Sequence, residues 1–160
     1  MSDLTHVGPS GEARMVDVSA KPATARLARA AGAISMQPTT FAAIRDNTLA
    51  KGDVLAVAKI AGVMAAKRTA DLIPLCHPLP LSDIQVTLSL DPGLPGVQVE
   101  VTARTTGPTG VEMEAITAVA VTLITVYDMA KGVDKGMMIK DIRLLEKAGG
   151  RTGHWQRGKG

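Results

Sequence analysis

Hydrophobic and polar residues alternate in two neighbouring stretches of the chain, residues 84–90 and 97–103. A period of two is typical of a β-strand with one buried face, and the DPGLPG segment between the stretches carries turn-forming proline and glycine. The pattern therefore predicts a β-hairpin. Three further strands are predicted at MVDV (residues 15–18), around residues 25–36 and over residues 138–147.

Helical patterns lie on both sides of the hairpin. Residues 38–46 predict a short helix, and Asp53 is a suitable N-cap for a second helix whose wide apolar band ends at the cations Lys67 and Arg68. Residues 112–131 exceed the usual length of a strand and predict a long helix, although their threonine and valine content leaves a buried strand as the alternative. This order of elements predicts an α+β fold in which helices pack on one face of an antiparallel sheet.

The chain has 160 residues, of which 46% are hydrophobic and only 2% are aromatic. This length predicts a single domain over residues 1–160, and the glycine-rich, charged ends predict flexible tails at residues 1–13 and 150–160. The core must consist of small aliphatic side chains, each of which buries little apolar area. Burial between subunits would supplement such a core, so we expect an oligomer.

Composition and charge also limit the compartment and the partners. The single Cys76 and the polar opening segment, which lacks a leader pattern, predict a cytoplasmic protein. The longest apolar run, residues 115–127, is shorter than the ~20 residues that span a bilayer and contains three threonines, which indicates a core segment and no membrane partner. The net charge of +3 is spread along the chain and aromatics are few, which favours a phosphorylated small molecule over nucleic acid.

The LIPLCHPLPL segment (residues 72–81) is the first candidate for chemistry. Its prolines restrict the backbone and predict a stiff, extended loop that presents Cys76 and His77. The alternative is a rigid turn between helix and hairpin with His77 on the surface. One cysteine and three scattered histidines lack the close spacing of zinc ligands, so no metal site is expected.

Charged residues at both ends of the long helix are the second candidate. Glu112 and Glu114 lie near its start, where acids can serve only to stabilise the helix dipole. Asp128 and Lys131 are neighbours near its end and follow a nearly uncharged stretch, so we expect a partly desolvated pair with pKa values suited to proton transfer. The alternative is a surface ion pair. Glu114 and Asp128 are about 21 Å apart along the helix axis, so a site that used both would be shared between subunits.

Basic residues beside glycines and helix ends are the third candidate. Cations that converge on one cleft could hold a triphosphate, with arginine as a bidentate donor and lysine as a point charge. Solvated surface charge is the alternative for each of them. The residues are Lys21, Arg26, Lys51, Lys67, Arg68, Arg104 and Lys147.

Several segments together resemble the MoaC family of cyclic pyranopterin monophosphate synthases. They are MVDVSAK (15–21), KGDVLAVAKIAGVMAAKRTADLIPLCHPL (51–79), TGVEMEAITA (109–118), YDMAKGVDK (127–135) and RLLEKAGGRTG (143–153). The resemblance covers about residues 1–153, and the combination of LIPLCHPL with GVEMEA and YDM-x-K is highly specific. It implies a ferredoxin-like α+β fold and a homohexamer, built as a trimer of dimers with active sites at the dimer interface.

The resemblance also implies a lyase activity in molybdenum cofactor biosynthesis. The substrate would be (8S)-3′,8-cyclo-7,8-dihydroguanosine 5′-triphosphate, which is converted to cyclic pyranopterin monophosphate with release of pyrophosphate. Asp128 would be the catalytic acid or base, with Lys131 and Lys51 as catalytic lysines beside it. Substrate contacts would come from Leu75, Cys76, His77, Met113 and Glu114.

The chemistry of such a reaction extends the set of candidates. Opening and rebuilding a ring system needs successive proton transfers, in which Glu112 and Glu114 could act as a relay. No motif in the sequence calls for a cofactor. Whether Mg²⁺ accompanies the triphosphate stays open. The departing pyrophosphate calls for cations, and the candidates for this clamp are Lys21, Arg26, Lys67, Arg104 and Lys147.

Two other classes of function stay open on the sequence. A regulatory protein could bind the nucleotide without turnover, and it would tolerate Asp128→Asn. A structural or RNA-associated ring would suit the pI of about 9.2. Three acids argue against the ring: Glu112, Glu114 and Asp128. Acids repel phosphates, so their presence is expected only if a reaction needs them.

Overall fold

The fold is a single antiparallel sheet with helices, and the computed structural model describes residues 7–8 and 10–158. The termini predicted as tails lie partly outside these residues, at 1–6, 9 and 159–160. The elements in chain order are β1 (Thr24–Ser35), α1 (Pro38–Arg45), α2 (Val54–Lys67), α3 (Thr69–Leu72), β2 (Leu81–Asp91), β3 (Gly96–Gly107), α4 (Glu112–Ala130), β4 (Met138–Ala148) and β5 (Trp155–Gln156).

The sheet has the strand order β2-β3-β1-β4-β5, and every neighbouring pair is antiparallel. The predicted hairpin is confirmed: β2 and β3 pair with Val86 opposite Val101, so their apolar positions share one face. β1 lies at the centre and pairs with both β3 and β4. This topology confirms the α+β, ferredoxin-like arrangement.

The helices form one layer on the sheet, as predicted. α4 packs on β1 and β3, and α2 packs beside α4 and on β2. Asp53 caps α2 by accepting a hydrogen bond from the main-chain N of Ala56 at 2.9 Å. The two helices approach closely at Gly62, where a Cβ atom would overlap the hydroxyl of Thr122. The core is built largely from alanine and valine, and Ile34 and Leu123 are its largest fully buried side chains.

α4 is long and apolar enough to cross a membrane by length and composition alone. However, 56% of the most apolar 18-residue stretch of α4 is buried inside the protein. Val119, Leu123 and Val126 are fully buried between α2 and the sheet. The apolar run is therefore a core helix, as the sequence predicted.

The segments before β1 and after β4 differ from the predicted pattern. The MVDV segment was predicted as a strand, and this prediction is wrong: residues 15–18 have no regular secondary structure. Instead, the carbonyl of Val16 contacts the ring of His77, so the segment lies against the proline-rich loop and not in the sheet. Near the other end, Trp155–Gln156 form β5, which pairs with β4 and which the apolar pattern did not predict.

Candidate active site

The proline-rich loop and the start of α4 enclose a cavity of about 280 Å³, here called the loop pocket. The loop begins with a turn in which Cys76 N donates to the carbonyl of Ile73, and it ends where the Thr105 hydroxyl donates to the carbonyl of Pro80 at 2.6 Å. His77 Nε2 lies 2.8 Å from the carbonyl of Val16. The lining residues are Val16, Val18, Lys21, Leu75, Cys76, His77, Leu79, Thr109, Gly110, Glu112, Met113 and Glu114.

Glu114 is the buried acid of the loop pocket, with only 4% of its surface exposed. Burial raises its pKa above the ordinary value, and the neighbouring charge of Glu112 adds to the shift. The pKa of the Cys76 thiol is also raised, first by burial and then by the charge of Glu114. Burial therefore makes both groups harder to ionise than they are in water.

Cations border the same pocket. Lys147, near the end of β4, forms an ion pair with Glu112, with 2.6 Å between Nζ and Oε1. Lys21 reaches the pocket from a turn in which its main-chain N donates to the carbonyl of Val18. Asp17 stabilises this turn by accepting from both the N and the hydroxyl of Ser19. The mouth of the pocket therefore carries both acids and amines.

Arg26 holds the segment that leads into α4. Its Nε donates to the carbonyl of Gly107 and its Nη2 to the carbonyl of Pro108, each at 3.2 Å. These bonds place the backbone of residues 107–110 beside the loop pocket. Arg26 lines a second cavity of about 250 Å³, here called the arginine pocket, together with Lys21, Pro22, Thr24, Gly150 and Arg151.

The other end of α4 carries a separate group of charges, the lysine–aspartate cluster of Lys51, Asp128 and Lys131. Lys131 Nζ lies 2.7 Å from Asp128 Oδ1, and Lys51 Nζ lies 3.0 Å from Asp128 Oδ2. Lys51 comes from the segment before α2, so the fold brings together residues 77 positions apart. A carboxylate held between two ammonium groups can position protons on both of its oxygens.

The sequence suggested that this cluster is partly desolvated. Within one chain, it is not. About half of each of the three side chains is exposed. Hydrogen bonds from Lys131 and then Lys51 hold the pKa of Asp128 below its ordinary value, and the hydrogen bond to Asp128 raises the pKa of Lys131. Both shifts favour the charged forms. The expectation of pKa values suited to proton transfer is therefore wrong for an isolated chain.

Comparisons with known proteins identify the family of the chain. The model of the MoaC family matches residues 15–150. The chain belongs to the MoaC family. A relative from Cereibacter sphaeroides is 58% identical over 156 residues, which cover 98% of each chain. A relative from Methylobacterium sp. (strain 4-46) is 59% identical over 155 residues and 97% of each chain. A third, from Thermomicrobium roseum, is 55% identical over 157 residues, 98% of this chain and 95% of the relative. All three are named cyclic pyranopterin monophosphate synthase.

The structure divides the candidate residues of this MoaC-family chain into separate groups. Leu75, Cys76, His77, Met113 and Glu114 meet at the loop pocket, together with Lys21 and Glu112, and Lys147 joins them through Glu112. Lys51, Asp128 and Lys131 meet at the opposite end of α4. Nothing in one chain brings the two groups together within the described residues.

Two of the proposed phosphate ligands lie elsewhere. Arg104 is on β3, with 3.7 Å between its Nε and Oδ2 of Asp83 on β2. Lys67 is exposed at the last residue of α2. Within residues 10–158, neither side chain lines the loop pocket or the arginine pocket. Their convergence with Lys21 and Lys147 is not seen in one chain.

Some pocket residues were not among the predicted site residues. Val16, Val18, Thr109 and Gly110 all line the loop pocket. They lie in the MVDVSAK and TGVEMEAITA segments that carry the MoaC resemblance, which is the signal that could have found them. Val16, Val18 and Gly110 have no polar side-chain group, and a single threonine such as Thr109 is common in any chain, so residue type alone does not single them out.

Proposed function

We propose that this protein is a cyclic pyranopterin monophosphate synthase, a lyase of molybdenum cofactor biosynthesis, acting in the cytoplasm. Its substrate is the cyclic dihydroguanosine triphosphate named above, and its products are cyclic pyranopterin monophosphate and pyrophosphate. The observation that carries the proposal is the lysine–aspartate cluster, in a chain 55–59% identical to synthases over nearly its full length. Acids and amines positioned in this way suit successive proton transfers.

The loop pocket is the proposed binding site for the reacting ring system. Leu75 and Met113 offer apolar contact, whereas Cys76, His77 and Glu114 offer polar groups at fixed positions. Burial raises the pKa of Glu114, and in its protonated form the carboxyl group can donate a hydrogen bond to a ring nitrogen or carbonyl. A relay through Glu112 and Glu114 is part of this proposal.

Asp128, Lys131 and Lys51 are the proposed proton-transfer groups, and they must reach the loop pocket from a second chain. Glu114 and Asp128 lie at opposite ends of the 19-residue helix α4, too far apart to contact one small substrate within a chain. A dimer whose α4 helices run antiparallel places the cluster of one chain beside the loop pocket of the other. Three such dimers form the proposed homohexamer.

An apolar stripe on α2 supports an interface on the helical layer. Val57, Ile60 and Met64 recur at helical spacing and are all exposed, and Ile124 is exposed on the neighbouring α4. An interface that extends from this surface over the cluster would remove water from it. Desolvation raises the pKa of Asp128 and lowers the pKa values of the two lysines. Both shifts act in favour of the neutral forms, which makes proton transfer by these groups easier.

The phosphates need cations, and Lys21 and Lys147 are the proposed ligands nearest the loop pocket. Arg26 contributes both by holding residues 107–110 and by lining the arginine pocket. Lys67 and Arg104 can take part only from another subunit. The proposal needs no organic cofactor, and Mg²⁺ bound to the triphosphate is compatible with it.

The proposed function is tested with the purified protein and the cyclic dihydroguanosine triphosphate. Pyrophosphate release and pterin formation are followed for the wild type, Asp128→Asn and Lys131→Ala, while light scattering and circular dichroism report assembly and folding. We expect turnover by the wild type only. Tight binding without turnover by a fully assembled wild type would exclude the synthase and favour a nucleotide-binding regulator.

A further inference from the structure

The pairing of β4 with β1 is interrupted by a β-bulge near the end of β4. Ala30 of β1 lies opposite Leu144, and Arg29, the preceding residue of β1, lies opposite Glu146, so Leu145 is the extra residue between them. A bulge inserts one residue into a strand and re-aims the side chains beyond it. This bulge therefore decides which side chains at the end of β4 face the helices.

Lys147 faces the helices because of the extra residue. Leu144 packs against the core on the helical face of the sheet. With regular alternation, Glu146 would come next on that face and Lys147 would lie on the opposite, open face. Instead, Glu146 pairs with Arg29 on the open face, with 3.0 Å between Oε2 and Nη1. Lys147 lies on the helical face, where its Nζ is 2.6 Å from Oε1 of Glu112 at the loop pocket.

Residues 154–157, here called the C-terminal strap, lie along the outer edge of β4 at the bulge. Trp155 of the strap lies opposite Lys147, and Gln156 lies opposite Glu146. Arg157 comes next, and its main-chain N donates to the carbonyl of Leu145 at 2.8 Å. The extra residue of the bulge is thus bonded to the strap on the side of β4 that faces away from β1.

Arg157 makes a second bond at the same place. Its Nε donates to the carbonyl of Leu144 at 2.7 Å. Its guanidinium carbon lies 5.8 Å from the centroid of the Trp155 ring, which is a cation–π distance and restrains the side chain. The carbonyls of Leu144 and Leu145 are therefore both bonded to one residue, and a shift of β4 by one position would break both bonds.

His154 contacts the bulge from the start of the strap. Its Nε2 lies 2.8 Å from Oε1 of Glu146, while Arg29 bonds to Oε2 of the same carboxylate. Glu146 is thus held on the open face from β1 and from the strap together. The strap contacts three consecutive residues of β4, 144–146, and these immediately precede Lys147.

We infer that Arg157 is a positioning residue, which fixes the register of β4 so that Lys147 faces the loop pocket. Arg157 lies on the outer edge of the sheet and is not among the residues that line the pocket, so it acts through the backbone of residues 144–145. The inference rests on the proposed function only for its effect on turnover, because the register of β4 is a property of the fold. Loss of Arg157 should therefore resemble loss of Lys147.

Substitutions at Arg157 in the full-length chain test the inference. Arg157→Pro removes both bonds to β4, because proline has no main-chain N–H and no guanidinium. Arg157→Gln keeps the main-chain bond. Arg143→Gln is the matched control, because Arg143 is an exposed arginine of β4 whose Nη1 donates to the carbonyl of Asp141, before the Leu145 bulge. We expect KM for the cyclic triphosphate to rise about tenfold in Arg157→Pro, about threefold in Arg157→Gln and less than about twofold in Arg143→Gln, with kcat changed less than KM.

A double-mutant cycle with Lys147→Met distinguishes positioning from mere protection of the sheet edge. If Arg157 acts through Lys147, Arg157→Pro should change KM less than about twofold once Lys147 is replaced. An undiminished effect of Arg157→Pro in the Lys147→Met protein would overturn the inference. Equal KM values for Arg157→Pro and Arg143→Gln would also overturn it. If Arg157→Pro does not fold, Arg157→Gln takes its place in the cycle.

Crystal structures of the wild type and the Arg157 variant decide the inference without turnover. We expect the variant to lose the Leu145 bulge and the contact between Lys147 and Glu112. A variant that keeps both overturns the inference, and wild-type turnover then still supports the synthase. A wild type without turnover removes the synthase, whereas loss of the bulge and the contact in the variant still supports the role of Arg157 in the register of β4.

Discussion

Lys51 donates to Asp128 twice, to the main-chain carbonyl at 2.9 Å and to side-chain Oδ2 at 3.0 Å. The first bond anchors Lys51 to the end of α4 whatever the protonation state of the carboxylate. The second bond leaves Oδ1 to Lys131, at 2.7 Å. Asp128 is therefore held in one orientation by two amines, and a substitution that keeps its shape removes the charge and leaves the anchor in place.

Asp128→Asn is expected to lower kcat by about 10²-fold or more, because general acid–base groups typically contribute 10²–10⁴. KM should change by much less, since the proposed substrate contacts lie mainly at the loop pocket. Steady-state pyrophosphate release measures both constants. Asp46→Asn is the matched control, because Asp46 is also an exposed acid paired with a cation, Arg45, and it lies outside both pockets. A similar loss in both variants would contradict the special role of Asp128.

Lys131→Met is expected to raise the pKa of Asp128, because the hydrogen bond from Lys131 is the largest cause of its lowered value. The shift should be smaller in Lys51→Met, where Lys131 remains. In the isolated chain the folded pKa of Asp128 lies below the unfolded value, so there the pair stabilises the fold above pH ~4 and loses this effect as pH falls through the folded pKa. Carboxylate NMR titration of the wild type, Lys131→Met and Lys51→Met measures the pKa of Asp128 in each protein. An unchanged pKa of Asp128 in Lys131→Met would contradict the prediction.

Mixing two inactive variants tests the shared site directly. If each site uses Glu114 of one chain and Asp128 of another, Glu114→Gln and Asp128→Asn should each be nearly inactive alone. Random reassembly of dimers after mild denaturation should restore about a quarter of wild-type turnover, because half of the dimers then contain one intact site of two. The mixture should stay inactive if the site lies within one chain. A remixed sample of each single variant controls for losses during reassembly.

Asp134→Asn is expected to destabilise the fold by about 1–2 kcal/mol. The buried carboxylate of Asp134 accepts hydrogen bonds from Gln37 N, the Thr40 hydroxyl and Gly136 N, so it joins the start of α1 to the loop after Lys131. An amide has one oxygen and would face at least one of these donors with its NH₂ group. Urea denaturation near neutral pH measures the difference.

The pH dependence of this effect distinguishes charge from shape. The hydrogen bond from Gln37 N is the largest cause that holds the pKa of Asp134 below its ordinary value. Its stabilisation is therefore complete above pH ~4 and is lost as pH falls through the folded pKa. The gap between wild type and Asp134→Asn should shrink in acid. Asp141→Asn is the control, since Asp141 is exposed and its φ of 58° is one that asparagine also adopts.

Gly62→Ala is expected to destabilise the protein by about 1–3 kcal/mol despite the better helix propensity of alanine. The added Cβ would overlap the Thr122 hydroxyl and would lie 3.3 Å from the carbonyl of Ala118, so α2 and α4 would have to separate. Gly132→Ala is the control, because nothing lies within 4 Å of a Cβ there. Thermal unfolding of both variants measures the difference, and equal stabilities would contradict the close approach of the helices.

The amino-acid pattern determined most of the secondary structure. The hairpin followed from strict alternation around DPGLPG, and α2 followed from Asp53 and its apolar band. Both signals are local, because a period and a cap depend on residues only a few positions apart. MVDV has a similar local pattern, yet residues 15–18 lie against His77, since pairing in a sheet also requires a free edge at the right place.

The candidate chemistry could be listed from the sequence, but only the tertiary structure decided how it is grouped. Lys51 and Asp128 meet because α2 and α4 pack side by side, and Arg151 lines the same pocket as Lys21 because β4 ends beside β1. The exposure of the lysine–aspartate cluster likewise depends on which parts of the fold cover it. The residue types near Asp128 in the sequence do not reveal this. Periodicity is a property of neighbours along the chain, whereas pKa values and binding sites depend on neighbours in space. The packing of the helices on the sheet determines which residues are neighbours in space.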